Sequence, residues 1–212
     1  MSQIDIAIID YGMGNLRSVQ KAFAKVGFEA DITSDAHRAS RAKRLVLPGD
    51  GAFGACIENL LGLRSSGLAM ADVITGWIAE GRPFLGICVG MQLLLETSEE
   101  MGEHKGLGII PGRVRRFSDT DGLKVPQLGW NNLVQQRPSP LFVDVDPESM
   151  VYFMHSYYCD PEDQGVTSAT TDYGLEFCSS LWRGPLVATQ FHPEKSGATG
   201  LMMLRNFAER VA

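Results

Sequence analysis

Apolar residues in the first hundred positions follow two alternating spacings. Residues 4–9 form a short, β-branched run that stops at Asp10, as a strand would. Leu16, Val19, Phe23 and Val26 then recur every three to four residues and Gly27 follows, the spacing and stop signal of an amphipathic helix. The same alternation predicts strands at 30–33 and 45–47 and helices over about 52–61 and 68–81. A last strand, over 83–87, leads through Cys88 into Met91–Glu96, a stretch of good helix formers. Strand–helix alternation of this kind builds a parallel sheet covered on both faces, with functional loops at the carboxyl ends of the strands.

Beyond residue 108 the texture changes. Short runs at 109–110, 114–117, 152–158, 166–170, 175–182 and 186–191 are separated by Gly, Pro and Asp and read as strands. They are expected to extend the same sheet as mixed or antiparallel strands. Residues 199–211 place Leu201, Leu204, Phe207, Ala208 and Val211 on one face, predicting a terminal helix. There are no internal repeats, low-complexity tracts or linker-like segments. The expectation is one α/β domain over residues 1–212, with a central mixed, mostly parallel sheet covered by helices on both faces.

Composition narrows the function classes. With 212 residues, 44% hydrophobic and 21% charged, the chain has the make-up of an ordinary globule with one sizeable core. A formal charge of −6 gives no basis for nucleic acid or an anionic membrane surface as partner. No apolar run approaches the roughly 18 residues of a membrane span. The start of the chain lacks the basic head and small-residue cleavage site of a signal peptide. Four irregularly spaced cysteines, Cys56, Cys88, Cys159 and Cys178, make neither a disulfide framework nor a CxxC metal site. A reducing, cytoplasmic home is expected, with no metal and no organic cofactor.

The candidate chemistry centres on Cys88. It stands between Gly86 and Gly90 where a strand gives way to a helix, the layout of a nucleophile elbow. Such a turn exposes the sulfur at the end of a sheet, and the positive end of the following helix favours the thiolate. The plainer alternative is a small buried hydrophobe, the usual fate of a free cysteine. In VATQFHPEKSG (187–197), His192 and Glu194 are two apart at a strand end, where period-two geometry puts both on one face. Facing Cys88, His192 would be the base and Glu194 the group that holds its tautomer; alternatively the segment is a surface turn. His37 and His104 lie in polar surroundings and are expected to be solvated, while His155 reads as a satisfied core residue.

Upstream, RLVLPGDGAFG (44–54) is a strand, a glycine-rich loop and a helix start. Gly49 and Gly51 would let backbone N–H groups face a developing oxyanion, together with the amide of Val89. Asp50 is better placed as a cap for the following helix. The absence of GxxxxGK[ST] argues against a nucleoside-triphosphate loop. Gly12 and Gly14 follow the first strand, but the third glycine of a dinucleotide fingerprint falls on Arg17.

These motifs carry a resemblance. PFLGICVGMQ (83–92), the distant HPEKSG and the upstream LPGDG resemble the class I, triad-type glutamine amidotransferases, whose flavodoxin-like α/β fold would cover essentially the whole chain. Within that class, DYGMGN (10–15), KVPQLGWNN (124–132) and VYFMHSYY (151–158) resemble the glutaminase subunits of imidazole glycerol phosphate synthases. The resemblance implies hydrolysis of the L-glutamine side-chain amide by a Cys88–His192–Glu194 triad. Gln92, Ser156 and Tyr157 would hold the substrate. Ammonia would pass to a (β/α)8-barrel synthase partner of histidine biosynthesis, in a heterodimer whose interface includes Asn15, Trp130, Tyr152 and Lys195. Two positions depart from the family pattern: Asp50 stands where an apolar residue is more frequent, and Gln127 where His is common. Three rival readings are the glutaminase of another pathway, a stand-alone cysteine hydrolase and a redox-sensing domain. Failure to complement a histidine auxotroph, activity without a partner, and indifference to loss of His192 would respectively mark them.

Overall fold

The computed structural model describes residues 4–118 and 123–212. In the first half strands and helices alternate: β1 (Ile6–Ile9), α1 (Leu16–Lys25), β2 (Ala30–Thr33), a one-turn α2 (Ala36–Ala39), β3 (Arg44–Gly49) and α3 (Phe53–Gly62). A small hairpin, β4 (Arg64–Ser65) and β5 (Leu68–Ala69), leads into α4 (Met70–Ala79), β6 (Phe84–Cys88) and a one-turn α5 (Val89–Gln92). Strands then dominate: β7 (Leu95–Ser98), β8 (His104–Lys105), β9 (Ile110–Arg116), β10 (Gln127–Asn132), β11 (Val134–Gln135), β12 (Met150–His155) and β13 (Tyr157–Pro161). After β14 (Thr167–Asp172), β15 (Glu176–Arg183) and β16 (Leu186–Thr189), the chain closes with α6 (Gly197–Arg210).

The apolar runs form the centre of one sheet. Its order is β2-β1-β3-β6-β16-β15-β13-β9-β7-β8, with β14 and β11 branching from β15. The five strands from β2 to β16 pair in parallel. Every residue of β1, β6 and β16 is buried, so both faces of this parallel part are covered. Helix α1 packs on α6, with the Phe23 and Phe207 rings 6.2 Å apart, and α3 packs on α4. From β15 outward, β13, β14 and β9 pair antiparallel, as the Gly- and Pro-broken runs predict. Among the described residues no helix is long and apolar enough to cross a membrane.

Three expectations need correction. The helix expected to run through Glu96 ends after one turn, and the chain bends into β7, which pairs with β9. Leu93, Leu94 and Leu95 are all fully buried, which a helix with one wet face would not allow, so tertiary pairing overrides helix propensity here. The run 152–158 is two strands in two places: β12 pairs with β10 in a separate two-stranded ribbon, while β13 joins the main sheet. Ser156 is the joint between them. The segment 68–81 begins as a strand of the small hairpin before α4 starts at Met70.

The elbow depends on three glycines packed without clearance. A Cβ on Gly90 would fall on the Leu47 carbonyl oxygen, and one on Gly86 would lie 2.8 Å from the Gly90 oxygen. A Cβ on Gly49 would lie 2.6 Å from the Val89 Cβ. Gly90→Ala is therefore expected to destabilise the fold by at least the ~1–3 kcal/mol typical of overpacking. Gly62→Ala, where nothing stands within 4 Å of the new methyl, serves as the control and should be neutral or slightly stabilising. Chemical denaturation of both variants checks the contrast.

Candidate active site

Strand β6 delivers Cys88 to the carboxyl edge of the sheet, and the chain turns there into α5. Cys88 has φ 55° and ψ −114°, a conformation costly for any residue with a side chain and held by the glycine packing around it. The first amide of α5 belongs to Val89, which has no partner one turn back within the helix. Gly49 is paired in register with Cys88 across β3 and β6, so the oxyanion candidates and the sulfur meet at one strand end.

His192 comes from the segment after β16. Its Nδ1–H donates to Glu194 Oε1 at 2.8 Å, with the two side chains only 3% and 1% exposed. Period-two strand geometry is not what joins them. His192 caps a 3-10 turn over Pro193–Lys195, and the turn folds Glu194 back onto the ring. The main chain of His192 is clamped from β12: its N–H donates to the Tyr152 carbonyl at 2.9 Å. Tyr152 N–H in turn donates to Ser196 Oγ at 3.0 Å, and Ser196 Oγ donates to the His192 carbonyl at 2.7 Å.

Electrostatics hold the His192 ring protonated. Burial disfavours the imidazolium, but the sulfur of Cys88 and the Glu194 carboxylate outweigh it and push His192 up to about 10. His192 Nε2 is buried and makes no hydrogen bond among the described residues, leaving it available to a substrate. His155 behaves in the opposite way. Burial holds it down to about 4, against the Tyr157 carbonyl that accepts from its Nδ1 at 2.8 Å, and with the charge of His192 adding to the effect. In that neutral ring Nε2 accepts, so the Gln127 side-chain amide 2.9 Å away must turn its NH2 toward it.

A pocket of about 230 Å³ opens over the sulfur, lined by Asp50, Gly51, Cys88, Val89, Gln92, Glu100, Pro126, Met154, His155, Ser156 and Tyr157. The sulfur lies 4.0 Å from the Met154 carbonyl and 3.7 Å from Gln190 Nε2. The arrangement supports attack by a thiolate on a carbonyl carbon, with an imidazolium to protonate the leaving group. Among the described residues no cluster of three His, Cys, Asp or Glu could hold a metal ion.

A model of the class-I glutamine amidotransferases matches residues 7–211. The chain belongs to that family. It is 54% identical over 209 residues to the imidazole glycerol phosphate synthase subunit HisH of Geobacter sulfurreducens, covering 96% of this chain and 98% of the relative. Over the same length it is 52% identical to the subunit of that name from Syntrophotalea carbinolica, covering 96% and 99%. The structure of PurLQS from Thermotoga maritima superposes with a TM-score of 0.73 at 14% identity, covering 96% of each chain, a likeness of fold alone.

Most of the residues singled out in the sequence of this amidotransferase meet at one place. Cys88, His192 and Glu194 do, and Asp50, Gly51, Val89, Gln92, Ser156 and Tyr157 line the pocket. Gly49 lies just behind it, needed for the close approach to Val89 and not for a left-handed backbone, which Gly51 adopts instead at φ 105°. Asp50 is not the helix cap: Ala52 occupies that position, and the Phe53 amide donates to Glu100 Oε2 at 2.6 Å. A cap supplied from 47 residues downstream leaves no local trace. Trp130, Tyr152 and Lys195 form a group on the ribbon side, with the Trp130 and Tyr152 rings 6.0 Å apart and Lys195 Nζ 6.0 Å from the Tyr152 ring. Asn15 is exposed at the start of α1, which packs against the Pro193–Lys195 turn. His37 is exposed as expected, but His104 is half-buried in β8 against Phe53. Glu100, Met154 and Gln190 were not foreseen. Gln190 alone had a signal, lying two residues before His192 on the same run.

Two expectations follow. Burial raises Cys56 to about 11 and Cys178 to about 12 and holds Cys159 well above the usual thiol range, so an electrophile at neutral pH should modify Cys88 alone. Mass-spectrometric mapping after brief iodoacetamide treatment checks this. Because the folded value of His192 lies above its ordinary 6.5, the stability it contributes is full below pH 6.5 and fades as pH rises through about 10. NMR titration should show the ring still protonated at pH 8, and Cys88→Ser should lower its midpoint by removing the sulfur that helps to raise it.

Proposed function

We propose that this chain is the glutaminase subunit of an imidazole glycerol phosphate synthase, acting through Cys88, His192 and Glu194. The observation that carries the mechanism is the buried His192–Glu194 pair set against a strained Cys88 at the mouth of an amino-acid-sized pocket. The Cys88 thiolate attacks the side-chain carbonyl of L-glutamine, and the oxyanion forms beside the Val89 amide and the Gly49–Gly51 backbone. His192 gives its Nε2 proton to the departing ammonia, leaving a γ-glutamyl thioester and a neutral imidazole. Water then attacks the thioester as His192 takes its proton; glutamate leaves and the thiolate–imidazolium pair is restored. Glu194 holds Nδ1 throughout, so Nε2 is the nitrogen that exchanges protons. Glu100 supplies a carboxylate in the pocket for the ammonium group of the substrate.

The ammonia is delivered to a (β/α)8-barrel cyclase subunit in histidine biosynthesis. Support for the docking face comes from the β10–β12 ribbon, where Leu128, Trp130 (52% exposed) and Met150 leave apolar surface uncovered beside Tyr152 and Lys195. An exposed apolar patch of this kind marks a protein contact. The test is a steady-state glutaminase assay of the isolated chain, of its complex with the barrel subunit, and of the complex with acceptor ligand bound. The rate should rise from the first to the last. His192→Ala should abolish turnover in the full complex, and Glu194→Gln should reduce it less, since orienting groups cost less than the base. Equal rates in all three states would leave a simple hydrolase.

A further inference from the structure

Cys88 has a neighbour for which the triad does not account. Gln190 is fully buried, and its Nε2 stands 3.7 Å from Cys88 Sγ. Its Oε1 accepts from Gln92 Nε2 at 3.0 Å, and the same Gln92 nitrogen donates to the Tyr157 carbonyl at 3.0 Å. A side-chain amide can be turned end for end, which exchanges its donor and acceptor. Here the Tyr157 carbonyl settles the direction, because a backbone oxygen only accepts. Gln92 must point its NH2 at Tyr157, and that NH2 spends its second proton on Gln190. Gln190 must then present its own NH2 to the sulfur. Reversed, it would set its oxygen against a thiolate and its NH2 against the NH2 of Gln92, two repulsions in one buried spot.

We propose that Gln190 is a fourth catalytic residue of the glutaminase, whose side-chain amide donates to the Cys88 thiolate and is aimed by Gln92. The proposal rests on Cys88 being the nucleophile. An N–H facing sulfur at 3.7 Å does little for a neutral thiol, and it strengthens when the sulfur bears a full charge. That charge appears twice in the cycle, on the nucleophile before attack and on the leaving group when the thioester is cleaved. Gln190 transfers no proton in either step. Being neutral, it stabilises the thiolate without competing with Glu194 for the imidazolium. The same chain of amides leaves Gln92 only its Oε1 to offer the substrate, so pocket and nucleophile share one set of hydrogen bonds.

The test is the pH dependence of Cys88 alkylation by iodoacetamide, followed by mass spectrometry on the full chain. Gln190→Met fills the volume without a donor, and Gln190→Asn keeps the amide but falls one methylene short. In both, the alkylation profile should move up by about one pH unit, so that the rate at neutral pH drops about tenfold and recovers at high pH. In the active complex, kcat should fall tenfold or more, with a smaller change in KM. A packing role alone would lower the melting temperature and leave the alkylation profile in place. Should Gln190→Met fail to fold, Gln92→Met releases Gln190 from its anchor and carries the same expectation in smaller measure. An unmoved profile in folded variants, with wild-type labelling at Cys88, overturns the role of Gln190. Wild-type labelling at Cys56, Cys159 or Cys178 instead would overturn the nucleophile assignment, and this proposal with it.

Discussion

The site hangs on one steric constraint: the backbones of β3, β6 and α5 approach so closely at Leu47, Gly86 and Gly90 that no Cβ fits between them. That contact forces the chain to reverse direction within one residue. The residue at the reversal, Cys88, is held at a positive φ that a free chain would leave. Strain of this sort survives only where the surroundings over-determine it. Here they are the buried residues Leu45–Gly49 of β3 and the fully buried β16 on either side of β6, and a one-turn helix after it. The sulfur gains a fixed direction, the positive end of α5 and a pocket whose floor is the same backbone.

Electrostatics then act on that fixed point. His192 and Glu194 arrive on a 3-10 turn, a compact device that brings residues two apart onto each other, where an extended strand would hold them side by side. Burial penalises both charges, and each is tolerable because its partner is within hydrogen-bond reach. His155, in the lining of the pocket, faces a carbonyl and an amide with no carboxylate, and the same burial keeps it neutral. Two buried histidines thus carry opposite charge states for reasons visible in their partners.

How much of this was legible in the sequence follows from how local each cause is. The parallel core and the elbow were legible, because apolar runs, Gly86 and Gly90 act on their immediate neighbours. The pairing of His192 with Glu194 was right in its residues and wrong in its geometry, since Pro193 starts a turn that alternation along a strand does not anticipate. The helix expected through Glu96 failed because Leu93 to Leu95 are claimed by the core on all sides. The division at Ser156 left no signature, because apolar and aromatic residues continue on both sides of it. Asp50 was misassigned as the cap and Glu100 was missed for the same reason in reverse: the amide of Phe53 is satisfied from across the pocket, by a residue with nothing in its neighbourhood to announce it.

The clamp between Tyr152 and His192 joins the ribbon to the base. Among the described residues β10 and β12 pair as strands only with each other, and side chains tie the ribbon to β14 of the twelve-stranded sheet: Asn131 Nδ2 donates to the Asp172 carbonyl at 2.8 Å and Thr171 Oγ1 donates to the Asn132 carbonyl at 2.9 Å. Tyr152 sits on it with its ring beside Trp130 and its peptide groups bonded to both ends of the histidine turn. Four residues later, just past the end of that strand, the chain reaches Ser156 in the wall of the pocket. The main chain of the base is thus hydrogen-bonded to the strand that leads into the pocket wall, while the nucleophile stands at the end of β6 in the main sheet.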